Sequence, residues 1–367
     1  MNMNKTLSLV AGIALTTFGL QVHAAGWTEC NGNKITWDSN SVKLKAGVKS
    51  FVAGGAYAQA LQTSIDRVNA NPSKFRFSLS LGDSSLGVDN GENEVWFTTD
   101  SELLNGAPAR TLKWMHCYDF FGLHYGIDET DIVFDANEKY TTSTNKADLW
   151  TFGGNWRPFH TTAIHEIGHA MGLAHENRWY NIMGEDWTHI HVNGSTTRAY
   201  FGEDASEGSV LLYGTNSGTI EDLSLTNEKY LGTSGQYSTH QFTQLFNSAD
   251  AVLSSFMDAG ENRYFVNKGQ LVKFEYTAEN NGKSQKTAKV AFYISTNSTI
   301  STGDKLIGTG TLTLTRNKTA TVKTSLYIPN DLIAGGNYWV GAIIDYDNQL
   351  PETVENNNAT YLPIRVN

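Results

Sequence analysis

Proline is scarce in this chain, 6 among 367 residues, and cysteine scarcer still, with 2. So few prolines exclude a polyproline stalk, and the 34 glycines show no every-third-residue period of a collagen. Two cysteines exclude a disulfide-dense miniature scaffold, and no CxxC spacing offers a zinc finger. Charge is thin at 17%, and the basic residues are the minority, 27 against 37 acidic, for a net charge of −10. A field of that sign repels phosphate backbones and anionic lipid, so nucleic acid is excluded as the expected partner. Past residue 24 no apolar run is long enough to span a membrane. Core material is what the chain does have: 40% hydrophobic residues, with 9 Trp, 17 Phe and 16 Tyr. The length suggests two domains.

Residues 1–24 read as a signal peptide. Lys5 supplies the positive start, Leu7 to Leu20 an uncharged apolar run, and Val22-His23-Ala24 a cleavage site after Ala24. As a helix that run covers only about 21 Å, short of a hydrocarbon core of about 30 Å, so an anchor is not expected. The mature protein is expected to be secreted and extracellular, and monomeric by default. In an oxidising compartment Cys30 and Cys117 most simply form a disulfide. The alternatives are free thiols, or Cys30 capping a metal as an inhibitory thiolate.

Ala60, Leu61, Ile65 and Val68 recur at helical intervals in Ala56–Asn69, and Asn71-Pro72 closes that segment. Strand-like runs follow at Phe75–Leu81, Glu94–Thr98 and Asp131–Phe134, and then a helix at His160–His175, a layout suited to a mixed sheet. Beyond about residue 260 strict alternation takes over, in Val272, Phe274 and Tyr276, in Val290, Phe292 and Ile294, and in Val340, Ala342 and Ile344. That pattern predicts a β-sandwich. The Ser-, Thr- and Gly-rich stretch 215–260 reads as the tail of a first domain, 25–250, and a linker to a second, 262–367.

The segment His165-Glu166-Ile167-Gly168-His169-Ala170-Met171-Gly172-Leu173-Ala174-His175 carries the chemistry. Residues four apart share a helix face, so His165 and His169 can present imidazoles to one ion, with Glu166 beside them. Gly172 lets the chain leave the helix and bring His175 round as a third ligand. Three histidines with an open fourth position describe a catalytic zinc site, since a structural one is closed by a fourth protein ligand.

HEIGHAMGLAHE resembles the extended zinc motif of the metzincin metallopeptidases. Asn181-Ile182-Met183-Gly184 resembles their methionine turn, and its short distance from His175 is similar to the matrixin branch. Asp128–Phe134 and Gly202–Gly214 resemble that branch's sheet strand and final helix. The resemblance implies an α+β catalytic domain, with a mixed twisted sheet, long helices and zinc in the cleft. It also implies Glu166 as the base that activates water and Met183 as a packing floor. Residues 184–201 are expected to shape the substrate pocket, with Trp187, His189, His191 and Tyr200 as candidates to line it and surface imidazoles as the plain reading of His189 and His191. Glu176 reads as a solvated acid, or as one meeting the mature N-terminus as in astacins. Matrixin catalytic domains also tend to hold calcium, for which Asp119, Asp128, Asp131 and Asp135 are candidates beside the plain reading of loop acids. No propeptide of useful length and no matrixin cysteine switch is seen.

Residues 262–367 resemble the bacterial CARDB adhesion-related module, through Thr277–Gly282, Val290–Ser295 and Tyr338–Asn358. An all-β Ig-like sandwich is expected there. It would bind a cell-surface or extracellular-matrix protein or glycan, or serve as a folding cap. Its acids at 345–355 suit either calcium or turn formation. The whole reads as a secreted zinc endopeptidase acting on proteins or peptides. The alternatives are an adhesin with a vestigial zinc site and a peptidase restricted to glycosylated proteins.

Overall fold

A five-stranded mixed sheet and three helices of more than ten residues make most of the first half of the molecule in the computed structural model. The model describes residues 25–119, 122–218, 220–316 and 318–367. The expected signal peptide lies outside these. Strand β1 (Ser41–Gly47) leads into helix α1 (Ala56–Asn69), β2 (Arg76–Asp83), β3 (Glu94–Thr98), β4 (Ala109–Asp119) and β5 (Leu123–Asp135). The sheet order is β2-β1-β3-β5-β4, parallel except for β4, which runs antiparallel to β5 and forms one edge. Helix α2 (Phe159–Met171) packs against α1, β4 and β5, and α3 (Gly202–Tyr213) follows it.

Sequence periodicity explains these elements. Buried Leu61, Ile65 and Val68 put one stripe of α1 against the core, while α2 is buried on nearly every side. A helix so enclosed must sit between layers, and Leu44, Val95, Ile132, Phe134, Phe159 and Ile164 join it in one cluster. The long helices expected of the fold are 14, 13 and 12 residues here, and strands outweigh them. The expected helix to His175 ends at Met171. Gly172 takes a left-handed φ of 112° that a side chain would strain, and Leu173–Ala174 then pairs with Gly26–Trp27.

The second half is a sandwich. Strands β6 (Leu223–Thr226), β7 (Glu228–Ser234), β8 (Tyr237–Phe242), β9 (Leu245–Asn247), β10 (Ser255–Asp258), β11 (Glu261–Val266) and β12 (Leu271–Asn280) come first. They are followed by β13 (Lys286–Ser295), β14 (Lys305–Leu314), β15 (Thr319–Tyr327), β16 (Asn337–Ile344) and β17 (Ala359–Val366). One sheet runs β10-β11-β17-β16-β13-β14, and the other is built on β12, with β15 along one edge and β6 and β9 along the other. The alternating residues of β12, β13 and β16 are buried in the shared core.

Segment 215–260 is therefore not a tail and linker. Strand β6 pairs with Thr277–Asn280 and β9 with Val272–Phe274, end to end along the same strand. Between them the β7–β8 hairpin leaves the sheet, turning at Gly235 and Gln236. The two halves also share an apolar cluster: Leu149, Phe152, Ile190 and Val192 meet Ala291, Tyr293, Ile300 and Tyr361. Each such buried side chain contributes about 1.5–3 kcal/mol, so this junction holds the halves as a core does. Lys146 Nζ adds a buried ion pair to Glu261 Oε2 at 2.6 Å.

Cys30 and Cys117 are disulfide-bonded, tying the N-terminal segment to β4. This removes Cys30 as a metal-capping thiolate. Among the described residues no helix is long and apolar enough to cross a membrane.

Candidate metal centre

Helix α2 carries His165 and His169 one turn apart, and the chain leaving at Gly172 returns His175 beside them. Their Nε2 atoms lie 3.0, 3.0 and 3.3 Å from one another. His165 Nδ1 donates to the Ile182 carbonyl at 2.6 Å and His169 Nδ1 to the Leu173 carbonyl at 2.8 Å. With Nδ1 so engaged, Nε2 of His165 and of His169 is a bare lone pair, and with His175 Nε2 beside them the three nitrogens form a donor set suited to a cation. Tetrahedral zinc with Zn–N of about 2.0–2.1 Å sets ligand nitrogens about 3.3 Å apart, which matches this donor set. Burial, reinforced by the neighbouring imidazoles, holds His169 well below the usual range and His175 at about 4. Both are thus neutral near pH 7, as ligands must be.

The methionine turn holds this arrangement from below. Gly184 and Glu185 N–H donate to the Asn181 carbonyl at 3.3 Å, closing the turn that aims the Ile182 carbonyl at His165. Met183 is buried against Gly168, where an added Cβ would stand 2.5 Å from Met183 Sδ. A side chain at that position would therefore force Met183 to shift.

Glu166 lines a cleft of about 670 Å³ together with the three histidines. Its Oε2 and its carbonyl both accept from Thr111 Oγ1, at 2.7 and 2.9 Å, which fixes the carboxylate against edge strand β4. Burial raises its pKa, against the opposing pull of His165 and Thr111. Asp186, also buried, accepts from the Arg157 guanidinium at 2.8 Å and from Thr162. Burial opposes its ionisation, yet Arg157 holds it below the usual carboxylate range.

Trp187 lines the cleft, in an edge-to-face contact with Trp150. Tyr200 does not: it is buried at the junction of the halves, its hydroxyl bonded to Asn356 and its ring under Arg67. His189 and His191 are likewise not surface groups. Both are buried against Glu279 of β12, at 3.5 and 3.2 Å. Glu176 is not solvated either, being buried and paired with Arg178 at 2.7 Å. The four acids expected to hold calcium are not brought together. Asp128 bonds His116, Asp131 accepts from Glu94 N–H, and Asp135 accepts from Asn137 N–H. The acids that do converge are Asp83, Glu92 and Glu94. At the chain's end Asp345 accepts from Gln349 and Leu350 N–H, forming a turn.

Sequence reasoning missed Thr111, Arg157 and the hairpin tip, Gln236 and Tyr237, all of which line the cleft, whereas Asp186, which also lines it, lies in the stretch 184–201 expected to shape the pocket. None of them lies in the zinc motif, and only the tertiary fold brings them to it.

Residues 119–200 match the family model described as Matrixin, and residues 260–361 that described as CARDB. No curated protein matches the chain. Among solved structures, a CARDB domain from Pyrococcus furiosus in complex with di-metal ions is similar at 17% identity and a TM-score of 0.25, covering 41% of this chain and 95% of that one. The solution structure of the same domain aligns at 20% identity and a TM-score of 0.25, over 41% and 97%. Residues 119–200, which contain His165, His169 and His175, thus match the Matrixin model, and residues 260–361 match the CARDB model.

Proposed function

We propose that this protein is a secreted zinc-dependent endopeptidase that hydrolyses peptide bonds of extracellular proteins. The observation that carries the reading is the convergence of three histidine Nε2 atoms within 3.3 Å, with a buried carboxylate on the helix that carries two of them. His165, His169 and His175 would hold the ion. Zinc bound there acidifies water and polarises a carbonyl oxygen. Glu166, anchored by Thr111, takes the proton of the attacking water and returns it to the leaving amine. The outer edge of β4 borders the cleft through Ala109, Arg110, Thr111 and Lys113. An extended peptide can pair with such an edge, so that main-chain hydrogen bonds position the scissile bond.

Casein treated with the mature protein, followed by mass spectrometry of the fragments, tests the proposal. New internal peptide termini that disappear with a chelator and in Glu166→Ala support it. Intact casein under both conditions, from protein that carries zinc, argues against a general endopeptidase.

A further inference from the structure

The β7–β8 hairpin is the part of the second half that reaches the cleft. It starts and ends on one strand of the sandwich, since β6 before it and β9 after it both pair with β12. Glu275 of β12 clamps both of its roots, accepting from Lys229 Nζ at 2.6 Å and from Gln244 N–H at 3.0 Å. Its tip is fixed to the segment that follows the third histidine. Asn177 Nδ2 donates to the Gly235 carbonyl at 2.8 Å, and Thr233 Oγ1 to the Asn177 carbonyl at 2.9 Å. Along β8, His240 N–H donates to Glu185 Oε2 at 2.8 Å, and Ser238 packs on Gly184, where no Cβ would fit.

The result is a cleft with two walls from different halves of the chain. Ala109–Thr111 and Lys113 of β4 line it, and so do Ser234 and Gln236–Thr239 of the hairpin. The Tyr237 ring lies 4.4 Å from that of His175, yet the residue is 43% exposed, so it faces the cleft and not a core. Gln236 Nε2 donates to the Tyr237 hydroxyl at 3.2 Å. A phenol oxygen that accepts from an amide keeps its own proton for another acceptor. The tip, Ser-Gly-Gln-Tyr-Ser-Thr, carries no charge.

Resting on the peptidase reading, we propose that this hairpin is a substrate-binding wall supplied by the sandwich half. Tyr237 is its specificity-determining residue, donating its hydroxyl proton to a carbonyl oxygen of the bound peptide and laying its ring against an uncharged side chain. On this account the sandwich half completes the cleft, a role distinct from tethering the enzyme to a surface.

The test uses the full chain with Glu166→Ala, so that binding is read without turnover. The probe is a fluorescein-labelled peptide spanning the principal casein cleavage site of the wild-type protein. Its Kd is measured by anisotropy before and after adding Tyr237→Ala or Tyr237→Phe, with zinc content and melting temperature as controls. A lost hydrogen bond and ring contact read as about tenfold weaker binding for Tyr237→Ala, with a smaller loss for Tyr237→Phe. Zinc and melting temperature are expected to stay unchanged. Equal Kd values overturn the proposal, as does loss of zinc in Tyr237→Ala, which would place the ring in the service of His175. If the wild-type protein makes no chelator-sensitive cut, the peptidase reading fails, and this inference with it.

Discussion

Single atoms decide whether the metal centre forms. An alanine at 168 would push its Cβ to 2.5 Å from Met183 Sδ and 3.4 Å from the Phe201 ring. Methionine can yield, but Met183 is next to Ile182, whose carbonyl fixes His165. Gly168→Ala is therefore expected to cost about 1–3 kcal/mol of stability and to weaken zinc binding. Denaturant melts and competition with a chelator check this, and wild-type values in both would contradict it. Asp204 supplies a pH-dependent case. Burial, with Glu176 nearby, pushes its pKa up to about 8, and neither carboxylate oxygen has a protein partner among the described residues. An acid raised in the folded state contributes stability that is full below its unfolded pKa, about 3.9, and lost as pH rises through about 8. Asp204→Asn lacks that dependence, so the variant should gain on the wild type between pH 5 and pH 9. Parallel stability curves would show that Asp204 does not titrate in this way.

At the scale of elements, the disulfide is the simplest lever. Cys30 and Cys117 close a loop of 87 residues, and the bond ties the N-terminal segment to the edge strand that carries Thr111. Replacing both cysteines with serine should lower stability by about 2–5 kcal/mol, read by denaturant melts. A loss below about 0.5 kcal/mol would mean that the segment is held by its other contacts. Elements with a regular apolar period were legible in the sequence. Helix α1 and strand β3 run over the residues expected of them, α1 because one buried stripe sets its period and β3 as a short apolar run buried on both faces at its start. The hairpin was not legible, and neither was β6. Strand β6 is four residues, buried throughout and too short to show a period. The hairpin, rich in Ser, Thr and Gly, is held by polar ties to Asn177, Glu185 and Glu275, and nothing local announces such partners. In the site, His165, Glu166 and His169 stood out because a helix fixes their spacing, and His175 because Gly172 ends that helix just before it. Tyr200 was misplaced because sequence distance from the methionine turn does not show which side of the chain faces the cleft.

The whole molecule behaves as one unit in this account. The apolar cluster shared by Ile190, Val192, Tyr293 and Tyr361, with His189 and His191 buried against Glu279, packs the two halves against each other. Thermal unfolding should therefore show a single transition, coincident by near- and far-ultraviolet circular dichroism. Two separated transitions would mean independent domains and would weaken the case for a cleft built by both. The central claim, a three-histidine zinc centre with Glu166 as its base, is tested most directly by one comparison. Zinc per chain and casein cleavage are measured side by side for the wild type, Glu166→Ala and His169→Ala. The account predicts about one zinc in the first two, far less in the third, and cleavage by the wild type alone. A wild-type protein that holds no zinc, or a Glu166→Ala variant that cleaves at the wild-type rate, would contradict it.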